Sequence, residues 1–173
     1  FQIENLGQYG KGGNKYGRAW ATFSNTPFRE YKHFVHQGGI QAPLIVHWPK
    51  GIAADRLGKL ESQPGHLIDI MATVVDLSGA TYPDRFKDNA ILPMEGVTLR
   101  PALEGKDLNR RQPIFWEHEG NKAVRDGKWK LVQKWRGPWE LYDMDADRTE
   151  MQNVIREQPE VAHRLETAWN AWA

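Results

Sequence analysis

Cysteine is missing from the 173-residue chain, and with it go disulfide frameworks, thiolate metal sites and thiol nucleophiles. No excess of one charge stands out either, since 23 Lys and Arg offset 22 Asp and Glu. The charges are mixed along the chain, so no basic stripe points to nucleic acid and no acidic tail to a solvating segment. Long hydrophobic runs are also lacking. The longest, such as Pro43–Trp48, are far too short to cross a bilayer. Phe1-Gln2-Ile3-Glu4-Asn5 contains neither an initiator Met nor a signal-peptide pattern, which fits a trimmed mature chain or a piece of a longer protein. Absence of cysteine leaves the compartment open, because exported proteins can also lack disulfides.

With 40% hydrophobic and 26% charged residues, the chain can bury a core, as one sizeable domain or a partial domain plus a small second one. Gly7, Gly10, Gly12, Gly13 and Gly17 mark the start as a loop. Gly10-Lys11-Gly12-Gly13 resembles a phosphate cradle only faintly, because no strand precedes it and no Gly-Lys-Ser/Thr follows. Gly38-Gly39 predicts a turn that glycine makes cheaply. Pro43-Leu44-Ile45-Val46-His47-Trp48, closed by Pro49, is a short apolar run between breakers and predicts a buried strand. Leu67, Ile70, Met71, Val74 and Leu77 share one helical face, with Gly79 as a stop, which predicts a helix over 66–78. Strand, loop and helix in this order suit the edge of an α/β sheet.

The stretch 80–112 is rich in loops, with a short helix expected near Leu99–Leu103. Beyond it the period changes to two. Pro113–His118, Lys122–Arg125, Lys128–Gln133 and Trp139–Asp143 predict four short antiparallel strands, joined at Gly120-Asn121, Asp126-Gly127 and Gly137-Pro138. Asp126-Gly127 is read as a type I′ hairpin. Pro159 and the stripe Val161, Leu165, Ala168, Trp169, Trp172 predict a closing helix on one face of that sheet. The expected division is therefore 1–112, an α/β part, and 113–173, a small α+β subdomain. Eight tryptophans, six of them in the second half, could stack on sugar rings, but most fall at strand or helix-stripe positions that core packing explains.

One segment carries a resemblance. Ser24 to Ile40, with Tyr31-Lys32-His33-Phe34-Val35-His36-Gln37-Gly38-Gly39-Ile40 at its end, is similar to the sulfatase stretch in which a lysine precedes Glu/Gln-Gly-Gly-Ile. Pro43-Leu44-Ile45-Val46-His47-Trp48-Pro49, His66-Leu67-Ile68-Asp69-Ile70, Trp116 to Arg125 and Trp139-Glu140-Leu141-Tyr142-Asp143 follow in the family's order. The likeness runs from about Gly17 to the end, and it implies the C-terminal portion of a sulfatase with an alkaline-phosphatase-like α/β fold. In that family a formylglycine made within a Cys/Ser-x-Pro-x-Arg motif is the nucleophile, and a calcium ion polarises the sulfate. Neither motif is in this chain. Asn25-Thr26-Pro27-Phe28-Arg29 has Asn at the nucleophile position, and Asp88-Asn89 imitates the family's metal pair from the wrong side of the lysine. The calcium ligands and the formylglycine are therefore expected upstream, and no metal ligand is assigned within the chain.

The resemblance makes Lys32 the catalytic and substrate-binding residue. A compact ammonium can donate to a sulfate oxygen as the sulfur–oxygen bond breaks. A solvated lysine beside Glu30 is the competing reading, and the Gln37-Gly38-Gly39-Ile40 context decides against it. His33 and His36, three apart, would share a helical face and could suit a metal. No third ligand is apparent, which favours packing or a supporting hydrogen bond. His36, beside the glycine turn, and His118, at the end of the first sheet strand, are the further substrate-binding candidates. The implied substrate is a small sulfated molecule (aryl, alkyl or carbohydrate), with no nucleic acid and no membrane span. A periplasmic or extracellular place is compatible with the resemblance. Two rivals remain: a phosphodiester or phosphonate monoester hydrolase of the same superfamily, and a non-catalytic carbohydrate-binding module.

Overall fold

In a computed structural model of the chain, residues 17–173 are described. The Gly10-Lys11-Gly12-Gly13 loop lies outside the described residues. The chain divides into two compact units, one holding the described residues up to Pro43 together with Pro113–Ala173, the other Leu44–Gln112.

The first unit is built on a four-stranded antiparallel meander, β3 (Ile114–His118), β4 (Asn121–Asp126), β5 (Trp129–Gln133) and β6 (Trp139–Asp143), in chain order. All four strands and the order expected from the period-two pattern are present. Register pairs Val124 with Phe115 and Leu131, and Leu131 with Leu141, so these side chains line one face. Onto that face packs α5 (Pro159–Trp172) through Ala162, Leu165 and Trp169. Successive residues point to opposite faces, so Ala123, Val132 and Tyr142 line the other. Val35 and Ile40 pack there, which places the segment before Pro43 against the sheet.

The hairpin turns differ from expectation by one residue. His118 pairs with Asn121, leaving Glu119 (φ 53°) and Gly120 (φ 77°) as the two loop residues of a type I′ turn, while Asn121 opens β4. Asp126 pairs with Trp129, so the next loop is Gly127-Lys128. Only Gly127 there has positive φ, which makes the turn II′-like rather than I′. Two helical segments were not anticipated: α1 (Gly17–Ser24) and the single turn α2 (Gln37–Ile40).

In the second unit, α3 (Ile68–Ser78) ends at Gly79 in the left-handed conformation (φ 66°), as the sequence predicts. It packs against the short α4 (Arg100–Leu103), where the Thr73 hydroxyl accepts the Leu99 amide at 2.8 Å. A short hairpin, β1 (Arg85–Phe86) with β2 (Asn89–Ala90), turns through Lys87-Asp88, so Asp88 lies at its tip and Asn89 opens β2. Asp69 is fully buried, and its carboxylate accepts the His66 and Val97 amides at 2.7 and 2.9 Å while pairing with Arg110.

Two expectations for this unit need correction. The run 43–48 forms no strand, with Ile45 89% exposed. A strand forms only against a partner, and among the described residues none lies beside it. The stripe Leu67, Ile70, Met71, Val74 and Leu77 is likewise exposed, and α3 buries Asp69 and Ala72 instead. The stripe has the right period but no apolar layer to meet among the described residues. No helix among the described residues is long and apolar enough to cross a membrane.

Candidate functional site

Lys32 and His33 are the central residues of a β-turn closed by the Phe34 amide donating to the Tyr31 carbonyl at 2.8 Å. The Lys32 side chain is exposed and makes no hydrogen bond or ion pair among the described residues. Glu30, the partner that a merely solvated Lys32 would take, pairs with Lys134 on the loop after β5. The ammonium is thus held out to solvent on a short, bonded turn.

Beneath it the glycine pair packs tightly. Neither Gly38 nor Gly39 has positive φ; both sit in or beside the α2 turn, contrary to the conformational reason first given for them. Their need is close approach. A Cβ at Gly38 would fall 2.3 Å from the Arg29 carbonyl oxygen, and one at Gly39 would fall 1.8 Å from that of Phe34. Backbone atoms cannot rotate away, so these glycines set how closely the Lys32 turn lies on α2.

A buried polar network ties this turn to the sheet. Lys130 on β5 and Glu150 after β6 are both fully buried, 2.6 Å apart. Glu150 also accepts the Gln37 amide at 2.8 Å, and Lys130 donates to the Gln37 side-chain oxygen at 3.1 Å. Burial pushes the Lys130 ammonium below its ordinary pKa, and the attraction of Glu150 opposes that shift. Arg29 donates to the Tyr142 hydroxyl at 2.7 Å and to the Glu150 carbonyl at 2.6 Å. Tyr142 in turn donates to Glu140 at 2.7 Å, and His36 Nε2 lies 3.1 Å from the same oxygen. The His36 hydrogen bond, with help from Tyr142 and Arg29, outweighs burial and holds the Glu140 carboxyl at about 2. Tyr142 is pushed up, first by burial and then by Glu140.

The two histidines of the Lys32 segment therefore separate. His36 is 1% exposed under the turn, its Nδ1 without a partner among the described residues. His33 points outward to Glu119, Nδ1 to Oε2 at 2.8 Å, and its ring stacks on that of His118 with centroids 6.4 Å apart. The backbone makes this meeting possible. Asn121, 4% exposed, donates from one side-chain nitrogen to the His33 carbonyl and the His118 carbonyl, each at 2.9 Å, and accepts the Trp135 amide at 3.1 Å. Lys32, His33, His118 and Glu119 thus belong to one neighbourhood, while His36 lies beneath it. Trp135, 61% exposed, covers Gly120, where an added Cβ would fall 2.5 Å from its ring.

Sequence reasoning missed Glu119 and the buried Lys130–Glu150 pair. Glu119 follows His118 directly, so the His-Glu pair was visible, but nothing local brings His33 to it. As for calcium, His33, His118 and Glu119 form the one trio of His, Asp or Glu with metal-compatible spacing among the described residues. Two imidazoles and one carboxylate do not suit an ion that takes six to eight oxygens. The described residues therefore do not fit calcium.

Comparison with known proteins bears on family and fold. The family described as N-sulphoglucosamine sulphohydrolase, C-terminal, matches residues 29–170. A sulfatase of Schizosaccharomyces pombe is 28% identical over 96% of this chain and 31% of its own length. N-acetylgalactosamine-6-sulfatase of Mus musculus is 34% identical over 76% of the chain and 24% of its own length. The crystal structure of Ps i-CgsB superposes with a TM-score of 0.70 at 24% identity, over 85% of this chain and 32% of that one, a likeness of fold. The chain thus spans about a quarter to a third of the proteins it matches.

Proposed function

The chain belongs to the sulfatase family, as its C-terminal portion, and on that premise we propose that the whole enzyme hydrolyses sulfate esters. Lys32 is the catalytic residue of this portion. Its exposed ammonium, unpaired among the described residues, on a turn anchored by a buried ion pair is the observation that carries the reading. Held there, it donates to a sulfate oxygen and stabilises negative charge as the sulfur–oxygen bond breaks, with little reorganisation. His118 lines the approach for the substrate, and His36 contributes from below by fixing the turn through Glu140. When present, calcium supplies Lewis acidity and formylglycine the nucleophile; both belong to residues outside this chain. The mouse relative's name favours a carbohydrate sulfate among the small sulfated substrates. In the whole enzyme we keep the domain boundary at 112–113, with the described residues up to Pro43 packed on the 113–173 sheet.

The test is turnover by the whole enzyme of an aryl sulfate against a phosphonate monoester and a phosphodiester, with the 173-residue chain assayed in parallel. Sulfate should be preferred, and the chain alone should be inactive. A phosphonate or phosphodiester preference, or calcium-dependent turnover by the chain after exhaustive purification, would overturn the proposal.

A further inference from the structure

We propose that His33, His118 and Glu119 form a surface site for a divalent transition-metal ion, zinc foremost, distinct from the calcium of the sulfatase reaction. One ligand atom from each of the three lies within 4.8 Å of the others. His33 Nδ1 is 2.8 Å from Glu119 Oε2, and His118 Nε2 is 3.8 Å from Glu119 Oε1. With bonds of about 2.0–2.1 Å, the ligands of a tetrahedral zinc ion are ~3.3 Å apart. The trio brackets that spacing, so small side-chain rotations seat an ion.

Two further features prepare the site. Asn121 bonds the carbonyls of both histidine residues, fixing the backbone on either side of the gap before any ion arrives. The type I′ turn places Glu119 beside His118 with φ 53°, a conformation that aims the carboxylate back across the histidine pair. Two imidazoles with one carboxylate are the donor set of zinc sites that keep a position open, and they discriminate against calcium and magnesium, which want oxygen. All three side chains are exposed, so an ion enters from solvent and its fourth position is left to water or an anion. Because His33 follows Lys32, an ion here also sits next to the turn that carries the ammonium.

Calorimetric titration of the untagged 173-residue chain with zinc chloride, then with calcium chloride, tests this without any need for turnover. One zinc per chain should bind, at least tenfold more weakly in His118→Ala and in Glu119→Gln, with circular dichroism of both variants unchanged. A control lacking three other histidines (His47→Ala, His66→Ala, His163→Ala) should keep the affinity, and equimolar calcium should not compete. If a variant fails to fold, proton NMR of the wild type takes its place: zinc should shift the ring resonances of His33 and His118 together. Absence of zinc binding, affinity indifferent to both substitutions, or ring resonances that stay put would overturn the site.

Discussion

Glu150→Gln removes a single charge from the pair sealed under the Lys32 turn. Lys130 and Glu150 are each 0% exposed at 2.6 Å, and glutamine keeps the shape and can still accept the Gln37 amide. Only the charge changes. Lys130 must then stay charged without a counterion or give up its proton. Breaking a buried pair from one side costs about 3–5 kcal/mol. The neutral route sets a ceiling, because deprotonating a lysine of ordinary pKa at pH ~7 costs about 4.6 kcal/mol, at roughly 1.36 kcal/mol per unit. Burial already pushes Lys130 downward, and the variant removes the force that opposes it. Once Lys130 is neutral in the folded variant but protonated when unfolded, the unfolded state holds one proton more. Stability of Glu150→Gln should therefore rise with pH by about 1.4 kcal/mol per unit above pH ~7, more steeply than wild type. Urea unfolding followed by tryptophan fluorescence at several pH values measures both numbers. Lys130→Met combined with Glu150→Gln should recover most of the loss, since no unpaired charge remains. A Glu150→Gln variant within about 0.5 kcal/mol of wild type, with no added pH slope, would refute the reasoning.

Two other consequences follow from the same neighbourhood. Glu140 is held at about 2 against an ordinary 4.5, so its folded state is the poorer proton binder. Its contribution, about 3 kcal/mol, is complete above pH ~4.5 and lost as pH falls toward ~2. Glu140→Gln should flatten that acid loss in urea melts, and parallel wild-type and variant curves would contradict it. Gly39→Ala should cost about 1–3 kcal/mol or more, because its Cβ meets the Phe34 carbonyl, whereas Gly65→Ala, with its nearest neighbour at 3.8 Å, should cost under about 0.5 kcal/mol in the same melts.

Elements that announce themselves locally were legible in the sequence. The meander showed in its period of two and its glycine turns, α3 in its periodic stripe and Gly79, and α5 in Pro159 and its aromatic stripe. What depends on a distant partner was not. Among the described residues, the run 43–48 has strand composition but no strand beside it, and the α3 stripe has no layer to cover it. Lys130 in an alternating strand reads as a solvent-facing charge, and only the second layer at residues 29–40 buries it. Ala123, Val132 and Tyr142 on that same face were the available hint that both faces are covered. At the candidate site, Lys32 and His118 were nominated by resemblance. The pairing of His33 with Glu119 was not, because it depends on Asn121 bridging segments far apart in sequence.

The central claim is that Lys32 contacts sulfate in the transition state, and kinetics of Lys32→Ala in the whole enzyme, measured beside its thermal melt, test it most directly. Loss of one preorganised donor should lower kcat/KM by on the order of 10²–10³, with the melt unchanged because the side chain is exposed and, among the described residues, unpaired. Lys32→Arg should rescue little, since a planar fork does not reproduce a compact ammonium. Near-normal turnover by Lys32→Ala with an unchanged melt would show that Lys32 is a surface lysine and the site is elsewhere.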